Sequence, residues 1–374
     1  DKKNNPLISK IIYNLKKDPH KKILSDGKKF ITSSQFLNLS VLNSTKLKKI
    51  KSNYIPIIVD RNIESVIAIF AVIFAKKTFC PISKDFPEER VINLIKLLKV
   101  DNVINCSSKK YYLKNIASID LNTDQKFNKI NYGSLNEIFY LLFTSGTTGN
   151  PKGVKLSFKN ILNTLTWSKN YLSWSNHKIG VATQFSFDIS MFDLFSGLYF
   201  NVPIYIFRNP SNPIETFKEI KKNKITSIFS VPTFFSNFVR YNILKKKMNS
   251  LKRIISGGDF FSHKDIINWQ NKQKKVDIFN VWGPTETSIV NTMYKLTKKD
   301  KENILKGKSI PVGKSHPLME IKIIKDKKVS KKGEIGEICM LGNCVSKGYI
   351  ENDKNSKNYF KFNKKKAYAT GDLG

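Results

Sequence analysis

Residues 141–154 read Leu-Leu-Phe-Thr-Ser-Gly-Thr-Thr-Gly-Asn-Pro-Lys-Gly-Val and place four hydroxyls, three glycines and one lysine behind an apolar run. That set suits a polyphosphate. Glycine lets backbone N–H groups approach an anion and takes positive φ without strain. Thr144, Ser145, Thr147 and Thr148 add O–H donors, Gly146 and Gly149 supply the turn, and Lys152 adds a point charge. The stretch departs from the P-loop signature: Pro151 stands where its second glycine belongs, and Gly153, not Ser or Thr, follows the lysine.

Elements that could carry these residues alternate along the chain. Apolar runs at 54–59, 103–105, 139–143, 180–183, 203–207, 227–230, 253–256 and 277–280 read as buried strands. Helical patterns lie between them, as at 87–98 and 217–223. That alternation predicts parallel α/β layers. The apolar run from Val66 to Ala75 is ten residues, too short to span a bilayer, and reads as a buried helix. From about Gly313 the pattern turns to short alternating strands with glycine turns, including 319–325 and 334–341. We therefore expect an α/β body over 1–312 and a small β-subdomain over 313–374.

Further motifs follow the loop in order: Phe187-Asp188-Ile189-Ser190 with Met191-Phe192-Asp193, then Asn280-Val281-Trp282-Gly283-Pro284-Thr285-Glu286. Gly333-Glu334-Ile335-Gly336-Glu337-Ile338 with Gly348-Tyr349 and Tyr368-Ala369-Thr370-Gly371-Asp372-Leu373 complete the series. Together they resemble the signatures of the adenylate-forming superfamily, which includes acyl-CoA synthetases, luciferases and the adenylation domains of nonribosomal peptide synthetases. The chain is most similar to the amino-acid-activating type, among which D-alanine–carrier-protein ligases stand. The resemblance implies the fold of that family's large N-terminal domain: two doubly wound sheet subdomains plus a small distorted β-barrel. Family members continue past the ribose motif into a hinge and a C-terminal lid domain, both of which we expect to be absent from residues 1–374.

The resemblance also implies roles. Thr144 to Lys152 would hold the β- and γ-phosphates of ATP, Thr285 the α-phosphate and Glu286 a Mg²⁺ ion. Trp282 and Gly257-Gly258 would sandwich adenine, with Asn280 at its amino group and Asp372 on the ribose hydroxyls. The family usually has tyrosine where Trp282 stands; tryptophan keeps the stacking face and lacks the phenol. Asp188 would pair with a substrate α-ammonium, and Phe187 before it is aromatic as in amino-acid-activating members. Ile189, Phe192, Thr233, Ile255, Gly257, Val281, Ile289 and Val290 would line the side-chain pocket. They carry no charge, so a small or medium apolar amino acid is expected. The implied reaction ends on the phosphopantetheine thiol of a carrier protein. An acyl- or aryl-CoA synthetase is the alternative, against which Asp188 speaks.

Net charge is +36. Nearly all of it is lysine: arginine occurs at 61, 90, 208, 240 and 253 only, and the lysine clusters are scattered with no basic stripe. The abundance of Lys, Asn and Ile reads as an AT-rich codon bias over a solvated surface. We expect no nucleic-acid or membrane partner, and an acidic carrier protein would suit the charge. Cys80, Cys106, Cys339 and Cys344 show no metal-site spacing and no disulfide framework, and we expect a reducing cytoplasmic setting with no signal peptide.

Overall fold

The computed structural model describes residues 5–113, 116–117, 130, 132–145, 151–315, 319–350 and 357–374. Three sheets organise the chain. The largest has nine strands, in spatial order Lys314–Ser315, Thr292–Lys295, Asp277–Trp282, Arg253–Ser256, Ser227–Ser230, Ile179–Val181, Ile204–Ile206, Lys22–Ser25 and Phe30–Thr32. From Asp277–Trp282 to Lys22–Ser25 all neighbours run parallel, and antiparallel strands close both edges. The second sheet has six strands, Ile116–Ala117, Val103–Asn105, Tyr54–Val59, Thr78–Ser83, Ile138–Ser145 and Pro151–Ser157. It is parallel apart from its last pair. Most of these central strands are buried along their length, which is why they read as unbroken apolar runs.

A shared core joins the two sheets. Helix Ile63–Phe74 is buried at every position except Glu64, as a helix apolar on all sides must be. The Asn62 side chain caps it by accepting from the Ser65 amide. Rings bridge the layers: Phe70 lies 5.2 Å from Phe36 and 5.4 Å from Phe195, and Phe195 lies 5.4 Å from Phe139 on the second sheet. The expected helix over 87–98 is Glu88–Leu97, and that over 217–223 begins earlier, at Pro213, where Asn212 caps it.

The third sheet is antiparallel, in the order Lys328–Val329, Met319–Lys325, Glu337–Gly342, Lys365–Leu373 and Tyr359–Phe362. Among the described residues its two outer strands do not pair with each other, and the expected small distorted barrel is present as a curled five-stranded half-barrel. Residues 347–350 sew it to the second sheet. The Lys155 amide donates to Gly348 O (2.9 Å), Lys347 to Lys155 O (2.8 Å) and Ile350 to Gly153 O (2.9 Å), around an antiparallel bridge between Val154 and Tyr349. A Cβ on Gly153 would meet Ile350 and Leu141 at 2.9 Å, so glycine there keeps this seam tight.

Candidate functional site

The paired strands Ile138–Ser145 and Pro151–Ser157 present the loop expected to hold phosphate. Thr144 stands opposite Lys152, and its hydroxyl donates to the Lys152 carbonyl at 3.4 Å. Gly146, Thr147, Thr148 and Gly149 lie outside the described residues, as does the side chain of Ser145. The Lys152 ammonium stands 5.4 Å from the centroid of the Tyr349 ring. At that range the ring face attracts the cation.

Glu286 sits in the short 3₁₀ turn Thr285–Thr287 that follows strand Asp277–Trp282. It is buried, its Oε1 accepts from the Tyr349 hydroxyl at 2.8 Å, and its carbonyl accepts from the Ser346 amide at 2.8 Å. Tyr349 in turn lies within hydrogen-bond reach of Tyr368, hydroxyl to hydroxyl at 3.3 Å. Burial first, and the nearby Glu286 charge as well, push both phenols well above their ordinary range. Among the described residues no three His, Cys, Asp or Glu side chains gather to hold a metal. Glu286 is a buried carboxylate of the kind magnesium takes, since that ion uses one or two protein carboxylates and fills its shell with phosphate and water.

One residue further back, the Thr285 hydroxyl donates to Asp188 Oδ2 at 2.7 Å, across 97 positions of sequence. Asp188 opens helix Asp188–Tyr199, where backbone N–H groups favour an acid. By accessible surface the residue is half-buried, yet its carboxyl is packed closely by protein. Loss of water raises its pKa; the Thr285 hydrogen bond opposes that and the Glu286 charge adds to it. Phe187 beside it is exposed. Asp193 lies deeper in the same helix, where burial raises its pKa strongly and Arg253 opposes the rise.

Most of the residues expected to line a side-chain pocket are buried. Ile189, Phe192, Ile255, Val281, Ile289 and Val290 are buried in a single apolar cluster, and Phe192 packs edge-on to Phe229 at 5.5 Å. Gly257 belongs with them: a Cβ there would strike the Val281 side chain at 2.5 Å. Thr233 instead stands exposed on helix Pro232–Arg240. Ser288 and Ile289 take φ of 72° and 74°, and for a β-branched isoleucine this left-handed backbone costs about 1–3 kcal/mol. The Val290 amide and the Thr164 hydroxyl, both donating to the Ser288 carbonyl, hold the kink.

A cavity of about 520 Å³ opens beyond the strand ends, walled by Gly258, Phe260, Asn280, Trp282, Ile310 and Asp372 among others. The Trp282 indole N–H donates to Asp372 Oδ2 at 3.0 Å. The Asn280 amide N–H donates to Pro311 O at 3.1 Å, which leaves its carbonyl oxygen to accept from a ligand amine. A larger cleft of about 960 Å³ is walled by Asp26, Arg61, Glu64 and Arg208. It contains none of the motif residues, and several of its charges are already paired, as Lys29–Glu64 and Lys84–Asp60 are.

Sequence reasoning named Tyr349 and Tyr368 as motif letters without a role. Their tie to Glu286 had no local signal, because it crosses from one sheet to another.

A family model described as AMP-binding enzyme matches residues 16–350. Bacitracin synthase 3 of Bacillus licheniformis is 27% identical over 329 residues, covering 85% of this chain and 5% of that protein. The D-alanine--D-alanyl carrier protein ligase of the same species is 28% identical over 344 residues, covering 85% of this chain and 66% of the ligase. Among solved structures, the Klebsiella oxytoca NpsA N-terminal subdomain, in complex with 3-hydroxybenzoyl-AMSN, superposes with TM-score 0.85 at 19% identity over 98% of this chain and 95% of that one. The nonribosomal peptide synthetase FmoA3, bound to α-methyl-L-serine-AMP, superposes with TM-score 0.89 at 16% identity over 100% of this chain and 44% of that one.

Proposed function

This chain belongs to the family of AMP-binding enzymes, and we propose that it activates an amino acid, small or medium and apolar, as its adenylate for transfer to a carrier-protein thiol. In that reaction a substrate carboxylate oxygen attacks the α-phosphorus of ATP. The new C–O–P linkage forms as the bond to the β-phosphate bridging oxygen breaks, and pyrophosphate leaves with both electrons of that bond. The protein's part is positioning and charge neutralisation.

The observation that carries this reading is the 2.7 Å hydrogen bond between Thr285 and Asp188. It brings the residue expected at the α-phosphate into contact with the residue expected at the α-ammonium. A threonine hydroxyl has one proton, so it cannot donate to Asp188 and to phosphate at once. An arriving ammonium takes over the carboxylate and frees Thr285 to turn to the phosphate. Lys152, Thr144 and the loop from Ser145 to Gly149 neutralise the outer phosphates. Glu286 would hold Mg²⁺, which supplies further charge neutralisation when bound. Trp282 and Gly258 flank the adenine, Asn280 accepts from its amino group, and Asp372 accepts from the ribose. Residues 1–312 carry the phosphate and amino-acid sites in this reading, and residues 313–374 the ribose carboxylate. Four free, buried cysteines suit a reducing compartment, and we assign the protein to the cytoplasm.

The test is amino-acid-dependent exchange of pyrophosphate into ATP, measured on the polypeptide that carries this chain across the common L- and D-amino acids. Exchange with one apolar amino acid, abolished in Asp188→Ala, is the expected result. Exchange with acidic or basic amino acids alone would overturn the substrate class. Activity with a simple carboxylic acid and none with amino acids would replace this reading with an acyl-CoA synthetase.

A further inference from the structure

We propose that Tyr349 is the positioning residue that sets Lys152 and Glu286 in one fixed arrangement, so that magnesium-bound nucleotide meets both at once; this rests on the reading of Lys152 and Glu286 given above. Three observations converge on this side chain. Its hydroxyl donates to Glu286 Oε1 at 2.8 Å. Its ring face lies 5.4 Å from the Lys152 ammonium. Its backbone is fixed by the seam between the second and third sheets, where Val154 bridges it and the flanking amides of Lys155 and Ile350 are bonded across. Each tie comes from a different part of the fold: Glu286 follows a strand of the nine-stranded sheet, and Lys152 lies on the edge strand of the six-stranded one.

The chemistry requires such a link. Lysine is a point charge on a flexible four-carbon stem, and the ring under it narrows where the ammonium can stand. A carboxylate has about four acceptor sites, so a single phenol fixes its plane and leaves the rest for a cation. Tyr349 itself is buried and acts through its contacts to Glu286 and Lys152, which makes it a positioning residue.

The test is calorimetric titration of the whole chain with ATP, once with excess Mg²⁺ and once with a chelator. Tyr349→Phe removes only the hydroxyl. It should weaken binding of the magnesium form about tenfold, the size of a lost hydrogen bond to a charged group, and leave the metal-free form unchanged. Tyr349→Leu also removes the ring and should weaken both forms. A melting midpoint taken alongside separates loss of fold from loss of site; were the leucine variant unfolded, the phenylalanine variant would decide alone. Wild-type affinity for both forms in Tyr349→Phe would overturn the proposal and leave the tyrosine as core filling. A wild-type chain that binds no nucleotide would overturn the assignment of Lys152 and Glu286, and this inference with it.

Discussion

The Asp188 carboxyl is held partly against its own ionisation, since burial raises its pKa. An incoming ammonium needs the charged form. Amino-acid affinity should therefore be full above that raised value and be lost as pH falls through it, with a proton released on binding near it. Calorimetry in two buffers of different ionisation enthalpy checks the proton, and Asp188→Asn should bind weakly with no pH dependence across that range. The linked sign for folding is opposite: a carboxyl with a raised folded pKa contributes stability at low pH that is lost as pH rises. Trp282 and Asp372 form a second residue-scale pair, 90 positions apart. Trp282→Phe keeps an aromatic face for adenine but removes the donor that aims the carboxylate. ATP affinity should fall about three- to tenfold, the cost of one hydrogen bond, and 2′-deoxy-ATP should lose less because it uses Asp372 less. Asp188, Glu286, Trp282 and Asp372 were each legible in the sequence because their motif neighbours are local. The bonds joining Asp188 to Thr285, Trp282 to Asp372 and Tyr349 to Glu286 were not, since each joins segments far apart in sequence that meet only once the chain is folded.

Several helices end in a way that hides the usual signal. Lys76, Asn201 and Lys224 follow helices Ile63–Phe74, Asp188–Tyr199 and Pro213–Lys222 with φ of 58°, 56° and 51°. After each, the next amide reaches back to close the helix: Lys77 to Val72 O, Val202 to Gly197 O and Ile225 to Ile220 O. Glycine is the ordinary occupant of that left-handed position, and lysine or asparagine stands there instead. The two expected helices nevertheless end within a residue of Leu97 and Lys222, and the eight strands expected before residue 313 lie within two residues of those observed. Pro213, a good first helical residue, and its Asn212 cap extend that helix beyond what the apolar pattern alone suggested. Both Lys76 and Lys224 are exposed. Glycine relieves the Cβ clash there and gives back part of the gain as chain entropy, so Lys76→Gly and Lys224→Gly should each stabilise by about 0.5–1 kcal/mol. For a chain of this length the double variant should melt about 1–3 °C higher, with unchanged nucleotide affinity.

At the scale of the molecule, a charge of +36 carried almost wholly by lysines produces a long-range field. If the partner is an acidic carrier, its loading should slow steeply as salt rises from low ionic strength, while pyrophosphate exchange, which uses small substrates in a preformed site, should change far less. Stopped-flow or radiolabel transfer across a salt series separates the two. Among the described residues no helix is long and apolar enough to cross a membrane. The seam at residues 347–350 also gives the molecule a built-in gauge. The amides of Lys155, Lys347 and Ile350 each donate across it, so none can exchange its hydrogen for deuterium while it stays closed. Their exchange rates thus count how often the phosphate-loop strand and the third sheet part company. Nucleotide that engages Lys152 and Glu286 together must lengthen the interval between partings, and mass spectrometry of a peptide covering 347–350 would read it as slowed deuterium uptake.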